Sequence, residues 1–368
     1  MAAKLEEVST APTEGVGIAG ATNSEKQSET PAPASAAKQD ETLTEKTGVE
    51  DATAGVADLA VSDKDVSAKK EEEAAAGVAA PTTGTTPSTT GPTWPDTAPE
   101  HPLTKFYDVF ETLVAEAAHN EVYGIELSKT SPFHTKLILQ KFLRANQNDL
   151  EKAKQQLLDT LKWRKEFDPT KAASESFERR RFDGLGYVLE VEGVPESPNK
   201  TDVVTFNIYG AVKDNKATFG DLEGFLRWRV GLMEKSVLKL NLSNATQPIP
   251  DYNEGPDPYQ GFQIHDYLRV SFLRQDPLVK AATKKTIEIL GHHYPETLSR
   301  KFFVNVPVVM GWLYSAMKMV IAKETVKKFT VLSYGNQLVT ELGPNIPKVY
   351  GGNAGELSEV GEGVKFTE

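Results

Sequence analysis

The stretch Gly261–Leu273, GFQIHDYLRVSFL, opens on a glycine, is rich in aromatic and branched residues, and suits an extended segment better than a helix. In a strand, residues two apart project to the same side, so His265 and Tyr267 would stand together on one face. Working outward, the polar NATQPIPDYNEGPDPYQG before it reads as a long loop, and FGDLEGFLRWRVGLMEKSVLKL before that as a helix. Downstream, VKAATKKTIEILGHHYP reads as a helix, RKFFVNVPV as a strand, VVMGWLYSAMKMVI as a helix, KKFTVLS as a strand and NQLVTEL as a short helix. Upstream, LGYVLEVEG and DVVTFNIYG are β-rich segments that end at glycines. Strands alternating with helices specify an α/β domain with a largely parallel sheet.

The region before this domain has another character. HPLTKFYDVFETLVAEA places Phe106, Val109, Phe110, Leu113 and Val114 at helical spacing, and PFHTKLILQKFLRAN supplies a second helix. LEKAKQQLLDTLKWRKEF supplies a third, with Asp149 or Asn148 as N-cap and Pro169 beyond its end; Leu150, Ala153, Leu157, Leu161 and Arg164 share one stripe. Residues 1–96 carry 7 Lys, no Arg and 17 acidic residues, a net −10 out of the −11 of the 368-residue chain. Their Ala, Glu, Thr, Ser, Gly and Pro cannot bury enough apolar surface to offset chain entropy, which predicts a disordered acidic tail. The expected organisation is a tail over 1–96, a helical lobe over 97–175, a ligand-binding lobe over 176–356 and a C-terminal tail over 357–368.

Composition excludes several chemistries. There is no cysteine, hence no disulfide, thiolate zinc site, cysteine nucleophile or iron–sulfur cluster. Residues 97–368 are within one charge of neutral, so nucleic-acid binding lacks bulk electrostatic support. No basic-then-apolar leader opens the chain, and the most apolar run, Val306–Ala322, contains Lys318 and is short for a span. Neither a GxxxxGK[ST] phosphate loop nor a GxSxG nucleophile elbow occurs.

Three blocks in order, KFLRANQNDLEKAKQQLLDTLKWRKEF, LGHHYPETLSRKFFVNVPVVMGWLYSAMKMVI and NIPKVYGG, resemble the CRAL-TRIO lipid-binding family in its fungal phosphatidylinositol-transfer branch. The resemblance implies a helical N-terminal lobe, a CRAL-TRIO lobe with a mostly parallel sheet, an apolar cavity, and a gating amphipathic helix. Val309, Trp312, Leu313, Met317 and Val320 make the stretch Pro307–Ala322 apolar enough to touch lipid, although a plain core helix has the same appearance. The family's headgroup motif falls on Glu296 and Lys328, with Thr325 nearby. A lysine supplies a point charge for phosphate, and a carboxylate accepts inositol hydroxyls. The second helix departs from the family pattern: where FLRAR is usual, this chain has FLRAN, with Asn146 in place of an arginine that assists the headgroup site.

The pair that opened the reading has its own resemblance. H-x-Y at His265 and Tyr267 is similar to the arrangement in a haem-binding branch of the Sec-fourteen-like proteins. That likeness implies haem b as a cofactor, Tyr267 as axial ligand to the iron, His265 as its neighbour, and Tyr209, Arg229 and Lys301 as supports. From the residues alone, a hydrogen-bonded structural His/Tyr pair is the better explanation of the motif; the resemblance reverses that order. His292 and His293 read as structural, because adjacent residues on a helix face different directions. The implied protein is a non-classical phosphatidylinositol transfer protein that also binds haem, not an enzyme. It would work in the cytoplasm with transient peripheral contact at endoplasmic-reticulum or microsomal membranes, serving phosphoinositide homeostasis or the response to oxidants. A haem-dependent peroxidase-like enzyme and a lipid-silent interaction module are the competing readings.

Overall fold

A computed structural model describes residues 91–271, 276–307 and 328–368. Three long helices come first: α1 (Pro102–Ala117), α2 (Pro132–Ala145) and α3 (Leu150–Phe167). Between α1 and α2 lies a minimal hairpin of β1 (Glu121–Val122) and β2 (Ile125–Glu126). Proline stands at the start of α1 and α2, where its missing N–H costs nothing. Asp149 caps α3 by accepting from the Lys152 amide, and Asp168 closes it in the left-handed region at φ 51°. Phe106, Phe110, Leu137, Phe142, Leu157 and Leu161 fill the core of this lobe at no measurable exposure. Trp94, which the sequence reading placed in the tail, packs on Phe133 with ring centroids 5.5 Å apart, so the stretch 91–96 joins the lobe.

Next come α4 (Pro169–Ser174), β3 (Ser176–Glu178), α5 (Arg179–Phe182), β4 (Gly186–Glu192), β5 (Thr201–Ile208), α6 (Asn215–Phe219) and α7 (Leu222–Lys239). Then follow β6 (Gly261–Asp266), α8 (Pro277–His293), β7 (Leu298–Val304), β8 (Phe329–Leu332), α9 (Val339–Leu342), α10 (Leu357–Val360) and β9 (Lys365–Thr367). The main sheet has the order β4-β5-β6-β7-β8. Its first pair is antiparallel and the other three are parallel, which matches the largely parallel sheet expected from the alternation. Residues 357–368, expected as a tail, instead pair back onto the domain. β9 runs parallel to β3, and Glu362 bridges to Val188.

Period-two alternation gives the sheet two unlike faces. Val204, Phe206, Phe262, Ile264, Phe302 and Val304 form a dry face, closed by Leu338, Leu342, Ile346 and Tyr350. The opposite face carries Thr205, Asn207, Gln263, His265, Lys301 and Phe303 in register across β5, β6 and β7. Helix α7 lies on this second face, where the Thr205 hydroxyl donates to Ser236 at 2.7 Å.

The strand that opened the reading is shorter than its sequence suggests. It ends at Asp266, whose carboxylate accepts from the Leu268 amide at 2.8 Å, and Val270 N–H turns back to the Tyr267 carbonyl. This Asx-type turn competes with further ladder pairing. Most of the expected gating helix, residues 308–322, and Thr325 lie outside the described residues. Among the described residues no helix is long and apolar enough to cross a membrane.

Candidate functional site

The polar face of the sheet borders a cavity of about 1940 Å³, larger than the ~300–1,000 Å³ usual for small-molecule pockets. Tyr209, Arg229, His265, Lys301 and Phe303 line one part of it; Asn146, Glu296 and Lys328 line another. One open space thus takes in members of both residue sets that the sequence had suggested for two ligands.

The first set converges at the carboxyl ends of β5 and β6. Tyr209 Oη and His265 Nδ1 share a hydrogen bond of 2.7 Å, and His265 Nε2 lies 3.3 Å from Gln263 Oε1. Tyr267 stands one step farther along, its ring 5.1 Å from that of Tyr209 and 6.3 Å from that of Phe303. His265 and Tyr267 therefore do share a side, as spacing two predicts, even though Tyr267 lies just past the strand. Tyr267 does not line the cavity, whereas His265 and Tyr209 lie on its wall. Lys301 stacks 5.5 Å over Phe329 in the neighbouring strand.

Burial sets the electrostatics of this cluster. The His265 imidazole is held well below the usual histidine range by desolvation, and the charges of Lys301 and Arg229 push the same way. Its neutral form is therefore present at neutral pH. Burial raises the Tyr209 phenol to about 12, against a smaller opposing pull from Arg229. Tyr267 is raised well above the ordinary phenol range by burial and then by Tyr209. Arg229 is only 4% exposed, its charge disfavoured by burial, and its Nη1 has no hydrogen-bond partner among the described residues.

The second set lies where α2, the 244–260 loop and the turn before β7 meet. Glu296 Oε2 accepts from Gln260 at 2.8 Å and from Arg144 Nε at 3.4 Å, and Lys328 Nζ stands 3.6 Å from Oε1. The backbone of Glu296 is in the left-handed region at φ 53°, and its carbonyl accepts from Lys141 at 2.8 Å. Fully buried, Lys141 also donates to Asp257 at 2.6 Å and to the Tyr259 carbonyl at 2.8 Å, which satisfies its three N–H groups. Arg144 holds the loop through the carbonyls of Pro250, Asp251 and Gly255. Asn146 does not reach this pair; its amide donates to the Phe142 carbonyl and to Gln156, closing the end of α2.

The supports of Glu296 were missed in the sequence. A signal existed: Lys141 and Arg144 are cations three residues apart, set among Leu137, Ile138, Leu139, Phe142 and Leu143, a pattern that calls for buried acceptors. Their partners lie more than 100 residues away, beyond the reach of any local pattern.

His293 stacks flat on Trp163, with centroids 4.4 Å apart, and contacts Thr160; burial first, then His292 and nearby cations, lower it to about 3. His292 instead faces Asp159 at 3.4 Å, so the two histidines take different partners although their rings meet edge to face at 4.8 Å. No group of three or more His, Cys, Asp or Glu able to hold a bare metal ion occurs among the described residues.

Comparison with known proteins agrees with this architecture. The CRAL/TRIO domain model matches residues 213–352, and the model of the CRAL/TRIO N-terminal domain matches residues 102–159. The phosphatidylinositol transfer protein SFH5 of Phaeosphaeria nodorum is 75% identical over 267 residues, 73% of this chain and 81% of that protein. Its namesake in Botryotinia fuckeliana is 48% identical over 273 residues, 73% of this chain and 60% of the relative. In Cryptococcus neoformans the corresponding protein is 46% identical over 269 residues, 71% of this chain and 89% of the relative. The crystal structure of Sfh5 matches with a TM-score of 0.60 at 30% identity, over 71% of this chain and 90% of that one. With a helical lobe set before a mostly parallel sheet, and with both domain models matched in order, the chain belongs to the CRAL/TRIO family.

Proposed function

We propose that this chain is a phosphatidylinositol transfer protein: it takes one phosphatidylinositol molecule into the cavity and releases it at another membrane without breaking a covalent bond. The observation that carries the reading is the pairing of Glu296 and Lys328, 3.6 Å apart on the wall of one large cavity. Lys328 offers a cation to the phosphodiester. Glu296 offers acceptor sites to inositol hydroxyls while Gln260 and Arg144 hold the carboxylate in place. Thr325 joins this set by sequence. Asn146 contributes no charge, so among the described residues Lys328 and Arg144 are the cations at the Glu296 carboxylate. The relatives named for phosphatidylinositol transfer support this reading. The expected place of action is the cytoplasm, with peripheral attachment to endoplasmic-reticulum membranes. The test is transfer between vesicles: Lys328→Ala and Glu296→Ala should each slow phosphatidylinositol transfer severalfold, and unchanged rates in both would remove the pair from the site.

A second reading is favoured by Arg229. A buried guanidinium on a cavity wall, with an N–H that has no partner among the described residues, suits an anionic ligand, and the residues around it fit haem b. Arg229 and Lys301 would hold the propionates, Phe303 and Tyr209 would offer ring surfaces, and Tyr267 would supply an oxygen ligand to the iron. When bound, ferric haem supplies the positive charge that a tyrosine phenol needs to ionise at neutral pH. The neutral His265 imidazole orients Tyr209 beside that oxygen through their 2.7 Å hydrogen bond. Haem content and the Soret band of the purified protein test this. Tyr267→Phe keeps the ring and removes the oxygen, so it should lose most of the haem and stay folded. Full haem with an unchanged spectrum would return His265 and Tyr267 to a structural role. Peroxide turnover by the loaded protein is the separate test of the peroxidase-like alternative.

A further inference from the structure

Isolated exposed apolar side chains are ordinary on a protein surface. Among the described residues, the three most exposed large ones are Tyr334 at 62%, Val349 at 52% and Leu268 at 48%. They lie far apart in sequence, yet each sits on a segment tied to one buried polar hub at the carboxyl ends of the parallel strands. Asp266 Oδ1 accepts from the Leu268 amide at 2.8 Å and from Asn305 Nδ2 at 2.7 Å. Asn305 Oδ1 accepts from the Gly335 amide, next to Tyr334, at 2.6 Å. Asp266 Oδ2 accepts from the Tyr350 hydroxyl, next to Val349, at 2.8 Å. The charged residues beside these side chains, Arg269 and Lys348, are both cations and both exposed.

We propose that this hub presents a docking surface for an anionic phospholipid bilayer, with Leu268, Tyr334 and Val349 entering the headgroup layer and Arg269 and Lys348 facing its negative charge. Leucine and valine gain by leaving water, and tyrosine suits a boundary where one end is apolar and the other wet. Each cation near an anionic leaflet adds attraction that salt screens. The choice of an anionic membrane follows from charge: residues 97–368 are close to neutral overall, so attraction has to come from local cations. Three segments fixed by one hydrogen-bonded hub lose little freedom on binding. The surface also adjoins the cavity. Gly210, which follows the cavity-lining Tyr209, lies so close to the Leu268 carbonyl that a Cβ there would sit 1.6 Å from its oxygen. A lipid entering or leaving would do so beside the bilayer. The inference rests on the lipid-transfer reading for its purpose, but not for its geometry.

The experiment is co-sedimentation of the full chain with phosphatidylcholine vesicles, with and without phosphatidylserine, read beside the phosphatidylinositol content of the purified protein. The wild type should prefer the anionic vesicles and release them as salt rises. The Leu268→Ser/Tyr334→Ser/Val349→Ser variant and the Arg269→Glu/Lys348→Glu variant should each bind about tenfold more weakly. Their unfolding midpoints and lipid content should not change, because all five side chains are exposed. Wild-type binding in both folded variants, or no binding of the wild type to anionic vesicles, would overturn the surface. A wild type that binds vesicles through these residues but carries and transfers no phosphatidylinositol would overturn the transfer reading and leave the surface standing.

Discussion

Two buried arginines occupy opposite situations in this molecule. Arg164, in the helical lobe, is 1% exposed and makes a 2.6 Å bond to Glu234 and 2.8 Å bonds to Glu121. Tyr294 donates to Glu234 at 2.7 Å, which completes the network. Burial opposes the charge of Arg164, but Glu234, with Tyr294 and Glu121, more than offsets it and holds the guanidinium above its usual range. Arg229, on α7 one and a half turns from Glu234, is equally hidden and has no carboxylate partner among the described residues. A cation whose partners come from its own chain is architecture; a cation on a cavity wall, with an N–H unpartnered among the described residues, is poised for something from outside.

The comparison breaks most visibly if Arg164 can be removed cheaply. Arg164→Ala leaves Glu234 buried without its counter-charge and should cost about 3–5 kcal/mol in urea unfolding. A loss near zero would mean that the network does not hold the lobe. Acid sharpens the contrast next. His265 and His293 both have folded-state pKa values below the ordinary 6.5, so the unfolded chain binds more protons below that pH. Stability should therefore be full above about pH 6.5 and fall with acidification, the His293 part by about 2 kcal/mol between pH 7 and 5. For His293 the loss should continue towards about pH 3. His293→Phe keeps a ring against Trp163 and should flatten the slope of stability against pH; an unchanged slope would show that His293 does not contribute. Arg229→Met should change stability by less than about 1 kcal/mol, because no ion pair among the described residues is broken, while haem recovery falls sharply. A loss as large as that of Arg164→Ala would erase the distinction. Glu296→Gln is the mildest: stability should stay within about 0.5 kcal/mol, since the amide can still accept from Gln260, and only transfer should slow.

The alternation of strands and helices was legible because the apolar period is local, and so were the Asp149 cap and the stop at Pro169. Arg164 already sat on the apolar stripe of its helix, but its two carboxylates, 43 and 70 residues away, could not be read from it. Spacing two placed His265 and Tyr267 on one side. Their partner Tyr209 comes from an adjacent strand end, and only the register Asn207 to His265 brings it there. The end of β6 at Asp266 was obscured because Tyr, Leu and Val continue a strand-like composition past it; the Asp266 side chain, capturing the Leu268 amide, decides the matter. Glu296 and Lys328 were placed by motif, whereas Lys141, Arg144 and Gln260, which hold Glu296, act through contacts that no motif encodes.

The parallel pairing of β3 with β9 has a kinetic consequence. Phe177 and Thr367 are 190 positions apart, and the Thr367 hydroxyl donates to the Phe177 carbonyl at 3.3 Å. Closing so long a stretch of chain for a three-residue ladder returns little until the main sheet has shortened the effective loop. During synthesis at ~5–20 residues per second, β3 would leave the ribosome roughly ten to forty seconds before its partner strand. Over that interval the edge of β3 is unpaired, and the nascent chain is most open there to mispairing with a neighbouring copy.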